Sequence, residues 1–114
     1  MASAFEWLDP WYPVSDAAIR AGLEDQLRQE ISPRHVLFGQ TARLIARRDD
    51  TDDALFELAN GRIAEVHLTW SKSTEPDPRW PVTAVFGSLG EWARESMMPL
   101  HQELSKLWNR RGGR

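Results

Sequence analysis

The 114-residue chain contains no cysteine. That removes disulfides, thiolate metal sites and a cysteine nucleophile together, and it fits a reducing compartment. No apolar run approaches the ~20 residues of a membrane span. The opening residues, MASAFEWLDP, lack the basic start and apolar stretch of a secretory signal. These absences lead us to expect a soluble cytoplasmic protein with no membrane contact. Charge of one sign is not in excess either. Lys and Arg number 14, Asp and Glu 17, for a net charge of −3, so the basic footprint of a nucleic-acid binder is missing. Also absent are a Gly-rich phosphate loop, a G-x-S-x-G elbow and an H-E-x-x-H spacing. No catalytic residue and no cofactor is assigned.

What the chain does have is tryptophan, six residues of it. Rings of this size bury large areas and favour cores and interfaces. The length fits one domain, residues 1–114, able to bury roughly two thirds of its unfolded surface without a staple. Residues 1–14 carry Phe5, Trp7, Trp11 and Tyr12 between prolines and are expected to lie across the body as an irregular strap. Ser15 reads as an N-cap with Asp16 favourable in the first turn. Ile19, Leu23, Leu27 and Ile31 then recur at helical spacing until Pro33 stops the helix. Residues 35–39 form an apolar connector.

Strands are expected at residues 42–48, 54–58, 62–70 and 82–86, with a proline-rich loop over 71–81. Ser88-Leu89-Gly90-Glu91 is a capping box before an amphipathic helix carrying Trp92, Met97, Leu100 and Leu104. Pro99 inside that helix predicts a kink near Met98. Residues 110–114 form a basic tail, expected to fray. The fold class is α+β: an antiparallel meander of three to four strands with an N-terminal and a C-terminal helix, in the order α-β-β-β-β-α.

Strand register decides what each sheet face carries. A three-residue loop at Asn60-Gly61, with Gly61 left-handed, pairs Leu58 with Arg62 and puts Phe56, Leu58, Ala64, Val66, Leu68 and Trp70 on one face. A five-residue loop at 49–53 pairs Arg48 with Ala54 and adds Ala42, Leu44 and Ala46. The opposite face then holds Arg43, Ile45, Arg47, Leu55, Glu57, Ile63, Glu65, His67 and Thr69. Its rows read Ile45–Glu57–Ile63 and Arg47–Leu55–Glu65. Three readings of this half-apolar face stand side by side: a solvated face held by cross-strand charge pairs, a surface for a partner or a second copy, or a face covered by the N-terminal strap. The candidate contact residues are Arg47, Leu55, Glu57, Ile63, Glu65 and His67, with Asp50 and Asp52 at the acidic hairpin tip.

Other constellations point less far. His35, His67 and His101 are the only histidines. They lie on unrelated segments without ligand spacing, so no metal site is assigned. His67 and Glu65 share a strand face, which needs no catalytic cause. The tip, Asp49-Asp50-Thr51-Asp52-Asp53, lacks the EF-hand pattern and reads as an acidic turn able to steer a basic partner. Trp70, Trp80 and the prolines between them form an aromatic loop.

The stretches His35-Val36-Leu37-Phe38-Gly39, Asp52-Asp53-Ala54-Leu55-Phe56, Val66-His67-Leu68-Thr69-Trp70 and Arg79-Trp80-Pro81-Val82-Thr83 together resemble a family of small, uncharacterised bacterial proteins. The family pattern reads approximately HPLFG … DDVLF … VHLTW … WPxT. The similarity spans about residues 35–100, and Val36 stands where the pattern has proline. The resemblance implies a bacterial source and a standalone domain, and it brings no catalytic residue. The expectation is a non-enzymatic protein-interaction module, such as an inhibitor, an immunity-type or a regulatory protein, binding through an open sheet face. The alternatives are a homodimer through that face, or a small-molecule binder or small enzyme with a pocket between the sheet, the Trp70–Trp80 loop and the C-terminal helix.

Overall fold

A computed structural model describes residues 5–111, with side chains for 5–108. Its first helix, α1 (Ala17–Glu30), is capped by Asp16, whose Oδ1 accepts the Ile19 N–H at 2.9 Å. The cap falls one residue later than Ser15. A carboxylate there meets the orphan N–H groups with a charge that a hydroxyl lacks. Leu23, Leu27 and Glu30 are buried on α1, while Ile19 at its start is exposed. Ile31 turns extended two residues before Pro33.

Five strands form one antiparallel meander in chain order: β1 (Trp11–Pro13), β2 (Ala42–Arg48), β3 (Asp53–Leu58), β4 (Ile63–His67) and β5 (Val82–Phe86). Four were expected. The fifth is part of the strap, where Trp11 pairs with Arg48 and Pro13 with Ala46. At the Asn60-Gly61 turn the Leu58 N–H donates to the Arg62 carbonyl at 2.8 Å and Gly61 takes φ +85°. This is the three-residue loop, and Phe56 accordingly faces Ala64.

The register of β2 against β3 differs from the expected one. Leu44 lies opposite Phe56 but Ala46 lies opposite Leu55, so Ile45 is an extra residue in a β-bulge. The bulge turns Ala46 to the face of Leu55 and sends Arg47 to the other face, opposite Ala54 and Tyr12. The rows become Arg43–Glu57–Ile63–Phe86 and Ala46–Leu55–Glu65–Ala84.

After β5, Ser88 caps a bent helical run: its Oγ accepts the Glu91 N–H at 3.1 Å. The run comprises α2 (Leu89–Trp92), one π-helical turn (Ala93–Met97) and α3 (Met98–Arg111). Within it the Met98 N–H reaches back five residues to the Ala93 carbonyl. Pro99 explains the wide turn: its ring would press on the carbonyl four residues earlier, and a π turn opens the helix there. The kink expected near Met98 takes this form. Of the expected basic tail, 112–114 lies outside the described residues.

Each sheet face carries its own core. One is aliphatic: Val14, Leu23, Leu27, Leu37, Leu44, Phe56, Leu58, Val66 and Leu68 pack with α1. The other is aromatic and sulfur-bearing: Trp11, Ala46, Leu55, Ile63, Trp92, Ala93 and Met97, flanked by Phe5, Trp7, Leu8 and Leu100.

Candidate interaction surface

The sheet face expected to be open is closed. Leu55 is 0% and Ile63 2% exposed, so neither reaches a partner. The strap and the bent helix cover them. Trp11 and Trp92 meet edge to face with ring centroids 5.0 Å apart, and Trp7 lies 5.9 Å from Trp92. The bulge contributes as well, because it places small Ala46 where the expected register put Arg47. Of the three readings the sequence allows, coverage is the one this geometry follows, with a helix beside the strap.

The polar candidates on this face have separate duties. Glu65 lies under the helix, where its Oε1 accepts the Trp92 indole N–H at 2.8 Å and the Ser96 hydroxyl at 2.6 Å. It positions the helix and is not free for a partner. Glu57 meets Arg43 across the strands at 3.7 Å, a partly exposed pair of small energetic weight. Arg47 stands on the α1 side of the sheet and so leaves the expected cluster.

At the acidic tip Arg48 gathers two of the four carboxylates, Asp50 and Asp53. Arg48 holds Asp50 with two bonds, Nε to Oδ1 at 2.8 Å and Nη2 to Oδ2 at 2.7 Å. This guanidinium keeps the Asp50 carboxyl below its ordinary range, and the same bond raises the arginine. Arg48 Nη1 also reaches Asp53 at 3.3 Å, the Thr51 hydroxyl donates to Asp53 at 3.0 Å, and His67 Nδ1 lies 2.7 Å from Asp53 Oδ1. The sequence reading paired His67 with Glu65; the cross-strand neighbour Asp53 is its partner instead, since Asp53 and His67 are opposite in the β3–β4 register. Asp52 is exposed, and its carbonyl accepts the Leu68 N–H. An Asp–His pair orients an imidazole, but proton transfer also needs a reacting group and a sheltered pocket. Here the ring is half exposed, and among the described residues no hydroxyl hydrogen-bonds to it.

The other histidines tie segments together. His35 is buried: Nδ1 accepts the Leu37 N–H at 3.0 Å, so Nε2 carries the proton and donates to the Pro81 carbonyl at 2.9 Å. His101 Nδ1 lies 2.8 Å from the Asp9 carbonyl and fastens α3 to the strap. Among the described residues, no group of three or more His, Asp or Glu is placed to hold a metal ion.

One site escaped the sequence reading. Glu30, fully buried at the end of α1, accepts the Thr69 and Trp70 N–H groups, both at 2.9 Å, and the Gln26 amide at 2.6 Å. Gln26 and Gln29 both donate to the Ser71 carbonyl. This bracket holds the start of the Trp70–Trp80 loop, with Trp70 in the left-handed region at φ +59°. The signal was the spacing, for Glu30 continues the Leu23, Leu27 stripe. The loop is thus anchored on the α1 side, while the C-terminal helix lies on the other face.

Exposed apolar side chains lie elsewhere. Val36 and Phe38 project from the connector beside a groove of about 450 Å³ that Arg20, Leu27, Ile31, Leu37 and Arg43 help to line. Leu107 (43% exposed) and Trp108 (56%) stand at the far end of α3. No helix among the described residues is long and apolar enough to cross a membrane. No family model matches the chain, and neither a curated protein nor a solved structure does.

Proposed function

We propose that the chain is a non-enzymatic protein-interaction module, of the inhibitor, immunity-type or regulatory kind, which grips its partner with the projecting end of α3. One observation carries this reading. The helix crosses the aromatic face from Ser88 beside β5, over Glu65 at Ser96, to the Asp9 carbonyl at His101. It then continues ten more residues to Arg111, about 15 Å at ~1.5 Å per residue. Leu104, Leu107 and Trp108 keep helical spacing on this extension, and the last two are exposed. An amphipathic helix that leaves its own core with the stripe intact suits an apolar groove on another protein. The lack, among the described residues, of a sheltered pocket beside the Asp53–His67 pair supports contact over chemistry. Absence of cysteine supports a cytoplasmic setting, and the motif resemblance supports a bacterial one.

The test is capture from the native host with the intact chain as bait, read by mass spectrometry. The same capture is run with a Leu107→Glu, Trp108→Ala double variant. The expected outcome is one partner recovered by the wild type and reduced at least tenfold by the variant, with unchanged far-ultraviolet circular dichroism. Equal recovery by both baits sinks the reading.

A further inference from the structure

The two edges of the sheet are finished differently. β1 is three residues long, contains Pro13 and follows Pro10. Short strands and prolines are the usual means of blunting an edge. β5 is also preceded by a proline, Pro81, but it is longer and has no proline within it. Its five residues, Val-Thr-Ala-Val-Phe, include no charge, glycine or proline. Its register with β4 is unbroken, from Ile63 opposite Phe86 to His67 opposite Val82.

Hydrogen-bond parity shows which groups point outward. The Leu58–Arg62 bond and the Leu68 N–H to Asp52 carbonyl bond turn the even residues of this segment toward β3. Ile63, Glu65 and His67 therefore bond β5, through Phe86, Ala84 and Val82. That leaves the N–H and carbonyl groups of Thr83 and Val85 facing away from the sheet. Among the described residues, no backbone or side-chain group outside the strand ladder bonds them. Val82 beside them is 50% exposed, and Ala84 is exposed too.

We propose that β5 is the seam of a homodimer, in which two copies pair β5 with β5 antiparallel about a twofold axis at Ala84 and merge two sheets into one. The strand suits itself in this arrangement. Thr83 faces Val85 of the other copy, and Val85 faces Thr83, which satisfies all four outward groups of each strand. The two Ala84 residues meet as a non-hydrogen-bonded pair with Cα atoms ~4.5 Å apart, where a small side chain fits. Exposed Val82 gains Phe86 of the other copy as its neighbour. No like charges come face to face, because the strand carries none. The occupant is a second copy because the same uncharged, unbroken strand serves both sides of a twofold seam. The seam is short against the ~1,000 Å² of a lasting interface, so the dimer is concentration-dependent.

Sedimentation velocity on the intact chain, from roughly 1 to 500 μM to span a weak interface, tests this. The wild type is expected to pass from 13.1 kDa toward twice that mass. Ala84→Lys and Ala84→Glu, at an exposed position, are each expected to stay monomeric. Mixed in equal amounts they are expected to dimerise again, because opposite charges then meet at the axis. Hydrogen exchange at the Thr83 and Val85 amides is expected to slow at least tenfold on concentrating the wild type. The proposal is overturned if the wild type stays monomeric throughout. It is also overturned if the Lys variant dimerises as well as the wild type, or if Leu107→Glu abolishes the dimer while Ala84→Lys leaves it intact. The last result would place self-association on α3.

Discussion

The two faces of this sheet are closed by different means. The α1 face is largely aliphatic and sealed by one regular helix, whose last residue, Glu30, reaches across to hold the Thr69 and Trp70 backbone. The opposite face is aromatic and sealed by two segments far apart in sequence: the strap, and the helix bent at its π turn. Both helical lids have helical period, and the strap has none. A periodic segment announces its buried stripe in the sequence, whereas the aperiodic strap only announces that it carries rings needing a home.

The comparison can be broken hardest at the second face. Leu55→Lys with Ile63→Lys buries two ammonium groups in a dry aromatic core, at several kcal/mol each, and is expected to give no folded protein by circular dichroism. If that variant folds and only loses binding, the face is open after all. Trp92→Ala should remove about 3–5 kcal/mol of stability through the lost ring. Thermal or urea unfolding measures it, and tryptophan emission from the strap should shift red as Trp7 and Trp11 lose their neighbour. On the first face, Glu30→Ala strands the Thr69 and Trp70 N–H groups and should cost about 2–4 kcal/mol, with faster amide exchange confined to the 69–75 segment. If Glu30→Ala instead loosens residues 5–13, the faces are coupled more tightly than their separate cores imply.

The smallest effect lies at the acidic tip. Arg48 depresses the Asp50 pKa in the folded state, so the pair contributes above the ordinary carboxylate range and is lost as pH falls through the depressed value. Asp50 is 39% exposed, so screening limits the contribution to tenths of a kcal/mol. Melts of wild type and Asp50→Asn should differ by one or two degrees at neutral pH, as expected for so small a difference in a domain of this size. The difference should close in strong acid.

Legibility followed local chemistry. The Asn60-Gly61 register could be read because Gly61 supplies a left-handed residue and every apolar side chain then agrees on one face. The Pro99 kink could be read because a missing N–H has a fixed consequence. The bulge at Ile45 could not, since one extra residue leaves the composition of β2 unchanged while reversing Ala46 and Arg47. Asp53–His67 and Glu65–Trp92 needed the three-dimensional partners. The Leu55, Ile63 face was half apolar, and half-apolar faces occur both exposed and covered. Its cover depended on where Phe5, Trp7 and Trp11 came to rest, and no spacing rule says where.

The Trp11–Trp92 contact joins positions about eighty residues apart, a separation that makes it a non-local closure. Segments 5–13 and 89–104 both pack around that pair. The layer is expected to behave as a latch with two keys, the release of either segment exposing part of Leu55 and Ile63. Local openings of this kind, well below the free energy of global unfolding, are where hidden apolar surface first meets other molecules. How long the protein stays clear of unwanted association is then set by the lifetime of the latch, while strands β2 to β5 beneath it stay paired.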